Sequence, residues 1–336
     1  MSKLSSDALN LFRTGRRYYR DYRKSYGHQI KLFNSQIVDL NKNKVSETKP
    51  ITCHWLHRFI NHRIKLSKGD TLSIFGVNGD KLAIRINRSK YKIFFTIENV
   101  HNPSSPWIPY GDQFISDPLI NLSLGFDYIV HPQYLRFPYW LMTMFEPTDT
   151  LKIIRNKCHY INEKMSFEVN IRSKFCAFVC RDDYFGHRTF FVNEVDKIDA
   201  INFPSDFMHN DDDCLNLYSS NKLDYLHQFK FNLCPENTNT LGYVTEKVFD
   251  AVKAGCIPIY WGSFNNPEPD ILNHEAICFL SYQKDNTSTI CQISELHGNK
   301  KLYKDFILQD RLNKEAPDVI FEYFSKLEQM IKEIVL

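Results

Sequence analysis

Between residues 175 and 262, short apolar runs alternate with helical segments in a pattern that leaves few folds open. Residues 175–180 are an unbroken apolar run of strand length. Residues 187–200 carry Phe190, Phe191, Val195 and Ile198 on one side of a helix, and 229–234 reads as a second strand. Residues 245–254 read as a helix that Gly255 can end, because glycine tolerates the left-handed cap, and 256–261 is a third run. Strands that are apolar on both faces and separated by helices imply parallel βαβ units.

Upstream, 71–76 and 91–97 read as buried strands, whereas 101–113 contains Pro103, Pro106, Pro109 and Gly111 and must be a loop. Residues 145–170 mix charges with little periodicity and are expected to hold a domain junction. Residues 316–335 form an amphipathic helix, with Ile320, Phe324, Leu327, Ile331 and Ile334 on one face. A chain of 336 residues exceeds one ordinary core. The expected division is a basic helical extension at 1–35, a domain at 36–160, a second at 161–312, and a terminal helix at 313–336.

Composition narrows the function classes. Apolar residues make up 43% and charged residues 24%, the balance of a soluble globular protein. A net charge of +3 is too small to argue for nucleic acid, which is expected not to be a partner. The nine cysteines are scattered, several within apolar runs, and read as buried thiols; Cys176 and Cys180 lack a second pair to complete a zinc site. Without a long apolar stretch or a leader pattern, a cytoplasmic location is expected. In 4–26, Arg13, Arg16, Arg17, Arg20, Arg23 and Lys24 interleave with Tyr18, Tyr19 and Tyr22. That segment is either a solvated helix packed by its tyrosines or a peripheral contact with the inner membrane face.

The segment most informative about chemistry runs from the strand at 229–234 through the loop of Glu236, Asn237 and Gly242 into the helix opened by Thr245, Glu246 and Lys247. In parallel α/β sheets ligands bind at such strand ends, and a helix N-terminus favours phosphate. Thr245 is a candidate N-cap. Lys247 in the first turn opposes the helix dipole unless an anion is bound. Glu246 can accept from ribose or sugar hydroxyls, and Tyr243 and Asn237 can orient base or sugar. Arg188, after the 175–180 strand and its loop, sits where a pyrophosphate ligand would, with Arg181 and His187 as weaker candidates. Each of these also reads as an ordinary capped helix with exposed charges. Glu98 follows the 91–97 strand and opens the Pro-rich loop, so it is either a base facing a crevice or a solvated carboxylate. Asp211, Asp212 and Asp213 contain an Asp-x-Asp pattern, but it follows polar residues rather than an apolar strand and reads as an acidic surface loop.

Residues 230–237 (KFNLCPEN), 243–247 (YVTEK) and 258–262 (PIYWG) together resemble the α1,3-fucosyltransferases, family 10 of the glycosyltransferases. Thr96, Glu98, Asn99 and Pro103, the 125–127 Gly-Phe-Asp and the 134–138 Tyr-Leu-Arg-Phe-Pro extend the resemblance over 91–262; Pro235 departs from the Phe common in bacterial members. The resemblance implies a GT-B-like α/β fold of two Rossmann-like domains facing a cleft. It implies GDP-fucose as donor, bound by Arg188, Asn237, Tyr243, Glu246 and Lys247, and Glu98 as general base of an inverting single displacement. Trp107, Tyr110 and Asp127 are expected at the acceptor, an oligosaccharide of N-acetyllactosamine type, free or lipid-linked, fucosylated at the 3-hydroxyl of GlcNAc. No cofactor or metal is expected to be required, Mn or Mg being at most stimulatory. Another nucleotide sugar, an α1,4 linkage, or a non-catalytic glycan-binding relative are the alternatives.

Overall fold

The computed structural model describes residues 2–33, 38–39, 44–45, 52–77, 81–102, 111–168, 172–211 and 222–336. The chain divides into two compact units. The first is Met1–Thr148 with Glu322–Leu336, and the second is Asp149–Phe321.

In the first unit the described elements are α1 (Ser2–Lys24), β1 (Ile30–Phe33), β2 (Val38–Asp39), β3 (Lys44–Val45), α2 (Thr52–Arg63), β4 (Leu72–Gly76), α3 (Leu82–Ile86), β5 (Tyr91–Phe95), β6 (Leu122–Gly125), β7 (Tyr134–Arg136) and α4 (Tyr139–Met144). Its main sheet is parallel, in the order β1-β4-β5-β6-β7. Such a sheet is covered on both faces, which is why its strands are buried at nearly every position rather than at alternate ones. Phe33, Phe75, Phe94 and Phe114 build one core, which Tyr18 and Tyr22 of α1 cover. A second aromatic group joins Trp55 and Phe59 of α2 to Phe137 and to Phe324 of the returning C-terminal segment.

The second unit holds α5 (Leu151–Glu168), β8 (Lys174–Ala177), α6 (His187–Val195), β9 (Ile201–Asn202), α7 (Lys222–Leu226), β10 (Phe229–Leu233), α8 (Glu246–Ala254), β11 (Ile257–Tyr260), β12 (Cys278–Phe279), α9 (Thr287–Gly298) and α10 (Lys300–Ile307). The last helix, α11 (Ala316–Val335), begins in this unit and ends in the first. The sheet is parallel, in the order β12-β11-β10-β8-β9. Counted from β8 this is the 2-1-3-4-5 order of a doubly wound sheet. Its direction of winding reverses between β8 and β10, so the crevice expected to bind ligand lies outside the carboxyl ends of these two strands. In the first unit the described strands progress in one direction without such a reversal.

Three expectations are corrected. The unit boundary falls at 148/149 rather than 160, and residues 1–35 and 313–336 are not separate pieces: α1 packs on the first unit's core, and α11 is shared. The 148/149 boundary lies within the 145–170 stretch expected to hold the junction, but most of that stretch is the helix α5, whose Ile154, Cys158 and Ile161 are buried at helical spacing. Charged neighbours had masked that stripe. Asp211 is not a surface acid. It is 8% exposed and accepts hydrogen bonds from the Tyr225 hydroxyl (2.6 Å) and the Asn202 amide (2.9 Å); Asp212 and Asp213 lie outside the described residues. Gly255 caps α8 in the left-handed region (φ 80°), as its position predicts. Cys158, Cys176, Cys180, Cys234, Cys256 and Cys278 are buried, and Cys291 is exposed.

Candidate functional site

The loops leaving β8 and β10 meet at the switch point. The Arg188 guanidinium, from the first turn of α6, donates through Nη2 to Asn237 Oδ1 at 2.6 Å, and through Nη1 to the Asp182 carbonyl. A weaker ion pair reaches the Asp182 carboxylate at 3.5 Å. Arg188 is 9% exposed, and its Nε is buried with no hydrogen-bond partner among the described residues. Buried donors are seldom left so, and this one calls for an acceptor.

Asp183 orients this arginine. It accepts from the backbone N–H of Arg188 (3.0 Å) and from both the N–H (2.8 Å) and the hydroxyl (2.7 Å) of Thr189. The N–H groups of Arg188 and Thr189 in the first turn of α6 are therefore occupied by a carboxylate, which leaves the Arg188 side chain as the candidate anion ligand at this helix end. Burial pushes the Asp183 pKa up, but the hydrogen bonds from Thr189 and Arg188 outweigh it and the net shift is downward. Asp183→Ala is expected to cost about 1–2 kcal/mol, read as a lower denaturant midpoint at unchanged slope. Because the folded pKa is depressed, this difference is present above the ordinary aspartate value and disappears as pH falls through the folded one.

The second half of the site is organised by Glu236, which the sequence reading treated only as part of a motif. It is fully buried. Its Oε1 accepts from the Thr245 N–H (2.7 Å), and its Oε2 accepts from the Thr245 hydroxyl (2.7 Å) and Lys247 Nζ (2.8 Å). Thr245 does occupy the N-cap position of α8, but its hydroxyl serves Glu236, so the helix has no side-chain cap. That leaves first-turn N–H groups and the Lys247 ammonium, 20% exposed, at one helix end. Burial works against the lysine's charge, but Glu236 and Glu246 overcome it and its pKa is raised. Burial likewise raises that of Glu246, which Lys247 and Lys222 more than reverse. Both groups are held charged.

Gly262 explains the end of the 258–262 motif. A Cβ there would lie 2.6 Å from Glu236 Cγ and 2.8 Å from the Tyr260 hydroxyl, and φ is +145°. Glycine is thus required because the carboxylate that holds Lys247 fills the space. His187 joins the same structure from α6, donating from Nε2 to the Glu236 carbonyl (2.9 Å) beside the Trp261 ring (4.6 Å between centroids); burial lowers its pKa. The loop ends are stapled by Gly242 N–H to Ser263 Oγ (3.0 Å) and Phe264 N–H to Asn239 Oδ1 (2.6 Å).

Of the expected donor residues, Arg188 and Asn237 are in direct contact, and Lys247 and Glu246 stand on one helical turn. Tyr243 is 2% exposed and packs within the loop instead of presenting its ring. In the first unit, Glu98 is half-buried at the carboxyl end of β5. Thr96 Oγ1 accepts its N–H (3.1 Å) and donates to its carbonyl (2.8 Å), pinning the backbone. Asp127 is 9% exposed, bonded to His101 Nε2 at 2.6 Å and to the Tyr134 hydroxyl at 3.2 Å, while that hydroxyl lies 2.8 Å from its own N–H. Both carboxylate oxygens are thus engaged within this unit, by His101 and Tyr134. Trp107 and Tyr110 lie outside the described residues. No group of three metal-ligating side chains occurs among the described residues.

Residues 171–312 match the family model of glycosyltransferase family 10 (fucosyltransferase), C-terminal part. Over 163 residues the chain is 31% identical to the alpha-(1,3)-fucosyltransferase FucT of Helicobacter pylori, a stretch covering 47% of this chain and 31% of that protein. The chain spans about a third or less of the length of the curated relatives it matches. A crystal structure of an alpha1,3-fucosyltransferase shares the fold at a TM-score of 0.61, with 22% identity and 89% of each chain covered. One of an alpha1,3-fucosyltransferase with GDP-fucose aligns at 0.54, with 21% identity, over 82% of this chain and 84% of that one. The family that the sequence motifs resemble is the one to which the family model, the curated relative and the solved structures belong.

Proposed function

We propose that this protein transfers L-fucose from GDP-β-L-fucose to a sugar hydroxyl, the 3-hydroxyl of GlcNAc in an N-acetyllactosamine-type glycan, with inversion. The observation that carries the reading is the pair of cations at the switch point: Arg188, with a buried donor lacking an acceptor, and Lys247 at an uncapped helix end. Two neighbouring positive groups at the carboxyl ends of parallel strands suit a diphosphate. The solved relative named for its GDP-fucose complex supports this donor.

In the proposed reaction the acceptor oxygen bonds to the anomeric carbon as its proton passes to the Glu98 carboxylate. The bond from that carbon to the β-phosphate oxygen breaks, and the electron pair leaves with GDP. Arg188, Lys247 and the first turn of α8 stabilise the charge that develops on the phosphate, which is where preorganised donors contribute most. The Glu246 carboxylate accepts from ribose or sugar hydroxyls. In this reading the cations take the role a metal would have, so activity is expected to survive EDTA.

The test is incubation with GDP-fucose, GDP-mannose and UDP-sugars, each with type 1 and type 2 disaccharides, with and without EDTA, and product linkage read by NMR. The expected result is an α1,3-fucosylated type 2 product from GDP-fucose alone, undiminished by the chelator. Turnover with another donor, or none with any, overturns the assignment.

A further inference from the structure

The basic segment singled out in the sequence takes no part in the proposed reaction, and the structure shows how its charges are arranged. One face of α1 is buried: Thr14, Asp21 and Ser25 are at most 5% exposed, and Tyr18 stacks on Phe33 with ring centroids 5.0 Å apart. At 100° per residue, Arg13, Arg16, Arg17, Arg20, Arg23 and Lys24 all fall on the opposite side, within an arc of about 120°. The five arginines are exposed and the lysine half-buried. The single acidic residue between 13 and 26, Asp21, is 2% exposed and turned inward, where Arg20 reaches it at 2.8 Å. Tyr19 and Tyr26, 62% and 65% exposed, flank the arc.

A solvated face would carry charges of both signs. Here Arg13 with Arg16 and Arg17, and Arg20 with Arg16, Arg17, Arg23 and Lys24, stand three or four residues apart with like charge, an arrangement that destabilises an isolated helix. The whole chain has a net charge of only +3, so the patch is not a consequence of bulk composition.

We propose that this face of α1 docks on an anionic bilayer surface. The helix's apolar side is already used against β1, so it lies on the headgroups by charge instead of inserting, and Tyr19 and Tyr26 supply the amphipathic rings that favour the interface. This does not depend on the sugar-transfer reading.

The experiment is co-sedimentation of the full chain with phosphatidylcholine vesicles, pure or containing about one-third phosphatidylglycerol, at about 0.1 and 0.5 M salt. The probe variant replaces three exposed arginines with no hydrogen bond or ion pair among the described residues: Arg13→Gln, Arg16→Gln and Arg17→Gln together. A matching Arg→Lys triple keeps the charge, and circular dichroism with the thermal midpoint checks that both fold. Binding is expected only with the anionic vesicles and to be lost at high salt. At about fivefold per cation, the glutamine triple should weaken it about a hundredfold while the lysine triple retains it. Equal binding to neutral vesicles, an unaffected glutamine triple, or stronger retention by a short single-stranded RNA than by the vesicles overturns the proposal.

Discussion

Glu98→Gln is expected to abolish transfer while leaving GDP affinity unchanged. A positioned general base contributes about 10²–10⁴ in rate, and an amide cannot accept the acceptor's proton. The backbone around the residue is held by the Thr96 hydroxyl, which accepts the Glu98 N–H and donates to its carbonyl, so the substitution leaves the loop anchored. The measurement pairs single-turnover transfer of labelled fucose with calorimetric titration of GDP. A fall in transfer of less than about tenfold would remove Glu98 from the role of base. A loss of GDP affinity equal to the loss of rate would mean that the carboxylate serves donor binding instead.

The second large effect is expected at Glu236. Removing it by Glu236→Ala leaves the Thr245 N–H and hydroxyl without their acceptor and the Lys247 ammonium without its partner at 2.8 Å. Breaking one side of a buried pair costs about 3–5 kcal/mol; with Lys247 20% exposed and Glu246 nearby, the lower end applies. For a unit of this size that is a drop of roughly 6–12 °C in thermal midpoint. Lys247→Met in the same background should restore part of the loss, because the orphaned charge is gone, and that non-additivity is the signature of direct pairing. Donor affinity should fall in both variants. If the double variant is as unstable as the sum of the two single ones, Glu236 is not the partner of Lys247. The charges on the first turn of α8 have a pH window set by two opposite shifts, those of Lys247 and its neighbour Glu246. Lys247, with a raised pKa, contributes below the ordinary lysine value and fades as pH rises through its folded one. Glu246, with a lowered pKa, contributes above the ordinary glutamate value and fades as pH falls through its own.

Much of the second unit was legible in its residues. Its strands are short and mostly buried because both faces are covered, and Gly255 marks the end of α8 through its left-handed backbone. The helix α5 was missed because Ile154, Cys158 and Ile161 are too few against charged neighbours for the stripe to stand out. The burial of Asp211 was missed because its partners, Tyr225 and Asn202, come from elements on either side of it in sequence. The bonds from His101 and Tyr134 to Asp127 were likewise not legible, since nothing in a Gly-Phe-Asp triplet announces them. The importance of Glu236 had one visible trace, the glycine at 262, which is explicable only once the two loops are seen to touch.

Local patterning by itself determined where the principal strands and helices between 175 and 262 lie and that they wind into a parallel sheet. It also placed Arg188, Asn237 and Lys247 at strand and helix ends, because period and capping are properties of neighbours along the chain. Tertiary structure alone decided the strand order and its reversal between β8 and β10. It also brought Arg188 against Asn237 across 49 residues of chain, and buried Glu236 beneath Gly262 as the anchor of Lys247. Those contacts depend on which strand pairs with which, and the free energy of that choice resides in packing between segments remote in sequence.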